Sequence, residues 1–288
     1  MIAVTGAVTA TTANLIVAAG GASLSGGGSF VLSNTATNRI YGATAAATLT
    51  NVNDRIAGAG LLGNGQMTLV NDAGGLIEGD GTLSLTLDTG ANTIANNGLI
   101  EAMGAGGVAV KSAVSGTGTT KIGAGTLSFA SAFNQAVTFT GTTGVLELAR
   151  SQAYTAAIRG FSKTGGTSLD LTDIAFGGST KASYSGTATS GTLTVTDGTH
   201  TAGIRLIGDY TASTFTVASD GHGGTTAKDP AKTAGPPGPL PPWVSPGGGH
   251  RFIDAMAGLG SRASATMIAG QCWQAAAPML LAPRIQTA

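Results

Sequence analysis

The sequence predicts an all-β protein in which residues 1–150 form a right-handed parallel β-helix, or solenoid. Three features lead to this prediction: an internal repeat, short runs that alternate apolar and polar residues, and turn-forming residues between the runs. The 288 residues include 47 glycines, while only 10% are charged and 5% are aromatic. Few large side chains are available for a core, so many thin stacked layers must bury the apolar residues instead.

Short sequence matches define the repeat. GTLS begins at Gly81 and Gly125, and the related GTLT begins at Gly191. Both separations are whole multiples of about 22 residues, in the range typical of solenoid repeats. GLIEG begins at Gly75 and GLIEA at Gly98, which is close to one such unit. Both sets therefore indicate a period of about 22 residues, which is the length of one coil of a parallel β-helix.

Alternating runs such as GQMTLVN, TLSLTLD and TLSFAS each predict a strand of a few residues. Glycine and asparagine between them suit the corners, because both reach positive φ at low cost. Asn71, Asn92 and Asn97 are predicted to align at one edge as a ladder of side-chain amides. The apolar residues predicted to point inward are Met67, Leu69, Ile77, Leu85, Ile100, Val108, Ile122 and Phe129.

The rest of the chain divides into three parts. Residues 151–229 contain longer alternating runs and are predicted to form a β-rich end module that covers the last coil. Residues 230–250 are a linker rich in proline and glycine. Residues 251–288 are a tail, disordered or with a short amphipathic helix, and a candidate export signal. The sequence contains no run of eighteen apolar residues, so no membrane-spanning helix is predicted.

The composition also excludes several classes of function. Fourteen basic and fourteen acidic residues cancel, and no basic block indicates a nucleic-acid interface. The single cysteine cannot form an internal disulfide, and no cysteine or histidine cluster has the spacing of a zinc site. No lysine or arginine precedes Arg39, so the sequence lacks the charged region of a Sec signal. Export would need another route, or the chain is a fragment.

The strings FSKTGGTSLDLTDIAFGG and GTLTVTDGTHTAGIRLIGDYTASTFTVASDGHGGT lie in the end module, after the repeats. With these segments, residues 50–230 resemble the large β-strand-repeat proteins of Gram-negative bacteria, either autotransporter passengers or type I secreted adhesins. The resemblance implies a secreted or cell-surface protein that is not an enzyme. It would act as a scaffold or adhesin whose partners are glycans, surfaces, copies of itself and an export machinery.

The alternative function is that of a β-helix enzyme that degrades polysaccharides, either a hydrolase or a lyase. Gly221, His222 and Gly223 reproduce the GHG string of polygalacturonases, and Asp220 precedes them. Glycoside hydrolysis needs two carboxylates flanking the bond, but the NTD, DD and RIK strings of that family do not occur. His222 is therefore interpreted as a solvated turn residue. Two or more carboxylates and a basic residue converging in one groove would favour the enzyme.

Two further motifs have simpler interpretations. GAGLLG, with Gly58, Gly60 and Gly63, fits the spacing of a dinucleotide fingerprint, but the strand and turn that follow give no helix N-terminus for a pyrophosphate. The motif is therefore interpreted as a structural turn. Acidic residues at Glu78, Asp80 and Asp88 could offer oxygens to calcium, but the nonapeptide repeat of calcium-binding β-rolls does not occur.

The remaining candidate side chains are assigned structural roles. Asp170 and Asp173 in LDLTDI are predicted to cap turns. His200 is predicted to lie on the polar face of a strand, and His250 in the linker. The pair Cys272 and Trp273 is predicted to pack, since no base lies nearby in sequence. No catalytic, cofactor-binding or metal-binding residue is assigned, and no cofactor is predicted.

Overall fold

A computed structural model describes residues 2–231 of the chain, which contain strands and a single short 3₁₀ helix. The first six coils contain three strands each: β1 Ile2–Ala3, β2 Ala7–Ala10, β3 Asn14–Val17, β4 Ala22–Ser25, β5 Ser29–Leu32, β6 Arg39–Gly42, β7 Thr48–Asn51, β8 Arg55–Gly58, β9 Gly60–Gly63, β10 Thr68–Asn71, β11 Leu76–Gly79, β12 Leu85–Leu87, β13 Ile94–Asn96, β14 Leu99–Ala102, β15 Val108–Val110, β16 Val114–Ser115, β17 Thr119–Ile122 and β18 Thr126–Phe129.

The later elements of the described chain depart from three strands per coil. They are β19 Ala136–Phe139, β20 Gly144–Leu148, the 3₁₀ helix Ser151–Ala153, β21 Ala157–Arg159, β22 Thr167–Leu171, β23 Lys181–Gly186, β24 Ser190–Thr196, β25 Thr201–Ile207, β26 Thr216–Ser219 and β27 Thr225–Lys228. Among the residues the structure describes, no helix has the length and apolar composition needed to cross a membrane.

Corresponding strands of successive coils pair in parallel and form three stacked sheets, with about 8 turns in all. The first sheet contains β1, β4, β7, β10, β13 and β16; the second begins with β2, and the third with β3. The predicted parallel β-solenoid is therefore confirmed. Coil length is not constant, because Thr119 pairs with Ala136 in a short coil, whereas Ala22 pairs with Leu49 in a much longer one.

One of the two sets of sequence matches reports the true register. In GLIEG and GLIEA, Ile77 pairs with Ile100 and Glu78 pairs with Glu101. The GTLS match does not follow the register, because Leu127 stacks on Val108, which in turn stacks on Leu85. The leucine of the first GTLS is Leu83, which precedes β12 and is 44% exposed. The spacing of the two GTLS strings is therefore a coincidence of composition.

Inward and outward side chains alternate along each strand, and the burial follows the same period of two. All of the residues predicted to point inward are at most 1% exposed. They stack coil upon coil into one continuous apolar core. Toward its C-terminal end, this core gains aromatic rings: Phe129 stacks on Phe133 with ring centroids 3.5 Å apart, and Phe133 stacks on Tyr154 at 5.8 Å.

A ladder of side-chain amides runs through one buried corner of the solenoid. Asn51 Nδ2 donates to Asn71 Oδ1 at 2.9 Å, and Asn71 Nδ2 donates to Asn96 Oδ1 at 2.8 Å. Asn96 Nδ2 then donates to Gln135 Oε1 at 2.8 Å. The longer glutamine side chain spans the coil between them, where Gly116 offers no side chain. Every step donates in the same direction along the chain, so buried polar groups are satisfied by their equivalents in the next coil.

The predicted membership of this ladder is correct for Asn71 and wrong for Asn92 and Asn97. Asn92 lies at another corner, where its Nδ2 donates to the carbonyl oxygens of Ala45 and Met67. Asn97 directly follows a ladder residue and is exposed, because neighbouring residues of an extended chain point to opposite sides.

The end module changes the direction of pairing. β21 pairs in parallel with β25, and β24 and β23 then continue the second sheet in antiparallel order. The third sheet ends likewise, because β22 pairs antiparallel with β27, and β27 with β26. Tyr184, Tyr210, Phe215 and Phe161 pack together beneath these strands. The predicted tail and most of the predicted linker, with His250, Cys272 and Trp273, lie outside the described residues.

Candidate functional site

The outer face of the third sheet carries a pair of carboxylates at its C-terminal end. Glu147 on β20 pairs in register with Asp170 on β22. The two strands are parallel neighbours, so both side chains leave the same face about 4.8 Å apart at the backbone. Such a pair repels itself when both carboxylates are ionised. Their position on rigid strands fixes that proximity.

Further charged residues join this pair from the last hairpin. Asp220 lies in the turn between β26 and β27, and Lys228 ends β27. Together with Glu147 and Asp170, they line an open groove of about 440 Å³. The remaining lining residues are mostly small and hydroxylated, including Thr126, Ser168, Thr216, Ser219 and Thr226. The groove therefore combines three carboxylates, one ammonium group and several hydroxyls.

Asp170 is the most perturbed carboxyl of the groove. The pKa of Asp170 is raised to about 6, first by burial and then by the charges of Asp220 and Glu147, while His222 opposes this rise. Asp170 Oδ1 is buried without a hydrogen-bond partner among the described residues. A carboxyl group that protonates near neutral pH can donate a proton at that pH.

Asp220 holds the turn that carries the GHG string. Its Oδ1 accepts hydrogen bonds from the backbone amides of His222 at 2.6 Å and Gly224 at 2.9 Å. These bonds fix the backbone of a tight Asx-type turn. The His222 side chain is exposed, so its interpretation as a solvated turn residue is confirmed.

The prediction that Asp170 caps a turn is wrong, because Asp170 lies within β22 and faces the groove. Asp173 does cap: its carboxylate accepts from the Ser151 hydroxyl and from the Gln152 backbone amide at the start of the 3₁₀ helix. Sequence reasoning also missed Glu147. A signal was present, because VLEL and SLDL are spaced as GLIEG and GLIEA are, which places both acids at the same position of the repeat.

Other predicted sites are occupied by structural contacts. Arg55 donates to Glu78 Oε2 at 2.6 Å and also pairs with Asp80, so these carboxylates bind a cation of the protein itself. Asp88 Oδ1 accepts the Gly90 amide in a turn. Within residues 2–231, no group of three or more histidine, cysteine, aspartate or glutamate side chains is placed to hold a metal ion.

The interpretation of GAGLLG as a turn is wrong for most of the motif, because Gly58 ends β8 and Gly60–Gly63 forms β9 of the third coil, with only a bend at Ala59 between them. Gly58, Gly60 and Gly63 all adopt positive φ, and a Cβ on Gly58 would overlap the carbonyl oxygen of Leu32. His200 is exposed and lies in the turn between β24 and β25, so its predicted place on a strand is wrong. Its Nδ1 lies 3.0 Å from Asp197 Oδ2.

The chain matches no family model, no curated protein and no solved structure.

Proposed function

We propose that this protein is a non-enzymatic scaffold with an adhesive surface, secreted or displayed at the cell surface. The observation that carries the proposal is the in-register stacking of coils, which turns single outward side chains into rows. One such row on the third sheet passes through Thr86, Ala109, Ser128, Glu147 and Asp170. Successive members are separated by one strand spacing, about 4.8 Å.

Rows of outward side chains, which in this row include the hydroxyls of Thr86 and Ser128, support adhesion through many weak contacts. Each hydroxyl contributes little alone, but a partner with a repeating structure engages several at once, and the combined affinity exceeds that of any one contact. Glycans, abiotic surfaces and other copies of the chain have such repeats. The resemblance of residues 50–230 to secreted repeat proteins supports the same location and role.

The adhesive row is tested by placing charge in it. Purified protein with Thr86→Glu and Ser128→Glu should retain its fold, because both side chains point outward, and should bind several-fold less to immobilised polysaccharide and to polystyrene. Thr199→Glu, in an exposed turn away from the row, is the matched control and should bind as the wild type does. If the wild type, the variant with both row substitutions and the control bind equally, the row is not the adhesive surface.

A second candidate is polysaccharide cleavage in the groove, and one observation favours it. Glu147, Asp170 and Asp220 converge there with Lys228, which is the arrangement that the sequence analysis required of the enzyme alternative. Hydrolysis of a glycoside needs an acid with a raised pKa and a second carboxylate nearby. Asp170 and Glu147 meet this chemical requirement.

Release of reducing ends from polygalacturonate, alginate and β-glucan distinguishes the two candidates. The scaffold proposal expects no turnover by the wild type. The enzyme candidate expects turnover that is lost in Asp170→Asn and Glu147→Gln, while Asp72→Asn, in a distant coil, retains it. His222→Ala should not abolish turnover under either candidate, because that side chain is exposed and touches the groove only through its charge, which opposes the raised pKa of Asp170.

A further inference from the structure

The outer face of the second sheet is basic at its C-terminal end. Strands β21, β23, β24 and β25 contain three charged residues, and all three are basic: Arg159, Lys181 and Arg205. Arg159 and Arg205 alternate with the buried Ile158 and Leu206, so both side chains point outward. All three basic side chains are exposed, and none forms an ion pair with a described residue. We call the outer surface of these four strands the basic face.

The two arginines of the basic face lie close together. β21 and β25 are parallel neighbours in which Arg159 pairs with Ile207, and Arg205 pairs with Ala157. The arginines are therefore one strand apart and offset by two residues, which separates them by about 8 Å at the backbone. A guanidinium group stays charged at any pH near neutrality, and its planar set of donors matches the two oxygens of a carboxylate. The basic face is thus suited to a partner that presents neighbouring carboxylates.

The groove on the third sheet presents such carboxylates. Glu147, Asp170 and Asp220 line it and outnumber its single basic residue, Lys228. None of the three acids forms an ion pair with a described residue. Glu147 and Asp170 lie on adjacent strands in register, so their charges repel each other. A cation that enters the groove from outside would reduce this repulsion.

The basic face and the acidic groove belong to different sheets, which face different sides of one solenoid. A chain cannot bring them together within itself, but two chains can. We propose that the basic face of one copy docks on the acidic groove of a second copy, with Arg159 and Arg205 opposite Glu147 and Asp170. An acidic polysaccharide would pair only with the basic face, whereas a second copy pairs with both surfaces. Each contact leaves one basic face and one groove free, so further copies add in the same way.

This contact goes beyond the proposed adhesion and does not rest on it. Thr86 of the adhesive row is separated from Glu147 by three strand spacings. Adhesion is measured as binding to an immobilised surface, whereas the contact between copies is measured in solution. Either property can therefore be lost while the other is retained.

Sedimentation velocity of the full chain tests the contact. At about 0.01 M salt, where charges act over about 30 Å, the sedimentation coefficient of the wild type should rise with protein concentration. At about 1 M salt, where that distance falls to about 3 Å, the protein should be monomeric. Two variants separate the surfaces: Arg159→Glu with Arg205→Glu reverses the basic face, and Glu147→Lys with Asp170→Asn reverses the charge of the groove. Each variant alone should stay monomeric at low salt.

An equimolar mixture of the two variants should associate again, because the first retains the acidic groove and the second retains the basic face. Arg39→Glu with Lys111→Glu is the matched control: it changes the net charge as the basic-face variant does, but in earlier coils, and should associate as the wild type does. Circular dichroism checks that each variant is folded. If the groove variant with two substitutions unfolds, Glu147→Lys alone takes its place.

Three results would overturn the proposal. The first is a wild type that stays monomeric at low salt up to about 1 mM, a concentration that populates even weak complexes. The second is a folded variant that associates as strongly as the wild type, and the third is a mixture that stays monomeric. If a monomeric wild type instead binds polygalacturonate through Arg159 and Arg205, the partner of the basic face is an acidic polysaccharide and not a second copy.

Discussion

The stacked coils and the end module build the same two sheets by opposite means. In the coils, each strand pairs in parallel with a strand one coil away, and contacts inside the solenoid repeat from coil to coil. In the end module, β23, β24 and β25 pair antiparallel with their neighbours in sequence, and their lengths reach 7 residues. Each added coil leaves its own strands with an unpaired backbone edge. In the end module, an antiparallel hairpin strand pairs with that edge instead of a further coil.

The two regions also fill their interiors differently. Most layers of the coils combine aliphatic side chains with an amide ladder, and buried phenylalanines occur only at Phe30 and in the last coils. The end module uses aromatic rings that occur once, with Tyr184, Tyr210 and Phe215 in mutual contact. Repeated coils thus lengthen the solenoid, while large side chains that are not repeated pack the module at its end.

The largest effect is expected inside the coils. Leu127 is 0% exposed and stacks between Val108 and Leu146, so Leu127→Asp buries an unpaired carboxylate. We expect the free energy of unfolding to fall by about 4 kcal/mol, measured by urea denaturation. Glu101→Ala is the outward control: it removes an ion pair at 3.0 Å with Lys121, whose side chain is 42% exposed, and should cost about 1 kcal/mol. Equal losses would contradict the inward position of Leu127.

The amide ladder should give the next largest effect. Asn71→Ala removes both a donor and an acceptor from a buried chain of hydrogen bonds, so Asn51 Nδ2 loses its side-chain acceptor and Asn96 Oδ1 loses its donor. We expect a loss of about 2–3 kcal/mol in the same measurement. Asn97→Ala, which removes a surface contact to the Thr117 amide, should cost less than about 1 kcal/mol. If the ladder does not contribute to stability, the two variants should have the same free energy of unfolding.

A smaller effect is expected in the end module. Tyr210 Oη donates to the Phe161 carbonyl oxygen at 2.7 Å in a buried position. Tyr210→Phe keeps the ring packing and should lower the stability by about 1 kcal/mol. Hydrogen exchange should report the change in β23–β26 and not in β4–β15, while Tyr41→Phe on the outer face of β6 should leave both regions unchanged. Faster exchange throughout the chain would show that the two regions unfold together.

A pH-dependent effect is expected at the groove. The pKa of Asp170 is raised from an ordinary 3.8 to about 6, so the folded protein binds this proton more tightly than the unfolded chain does. Its contribution to stability is therefore fully present below pH 3.8 and is lost as the pH rises through 6. Asp170→Asn should flatten that slope and raise the thermal midpoint at pH 8. A slope that is unchanged in Asp170→Asn would assign the pH dependence to other groups.

Much of the solenoid could be predicted from the sequence, because strand alternation and GLIE matches are local signals. The ladder was predicted in kind, but its members depend on the length of each coil, which differs along the chain and cannot be read from composition. The strings TLTN, TLVN and TIAN, which place Asn51, Asn71 and Asn96 at equivalent strand positions, would have identified it.

The groove was harder to predict. Asp170 and Glu147 meet through strand register. Asp220 and Lys228 reach them through an antiparallel hairpin, which the sequence repeat does not predict. Sequence reasoning therefore assigned Asp170 to a turn and did not connect it with Glu147 or Asp220. Pairing direction in the end module was the missing information.

The variable coil length has a mechanical consequence. Each coil advances the solenoid by one strand spacing, about 4.8 Å, whereas a chain of roughly 22 residues extends to about 75 Å when pulled straight. Tension applied at an end would load the hydrogen bonds of one coil at a time, and each coil that yields would release its stored contour length before the next is strained. The coil from Ala22 to Leu49 contains more residues than the coil from Thr119 to Ala136. The increase in chain length would therefore differ from one unfolding coil to the next, and the solenoid would extend under force in steps of unequal size.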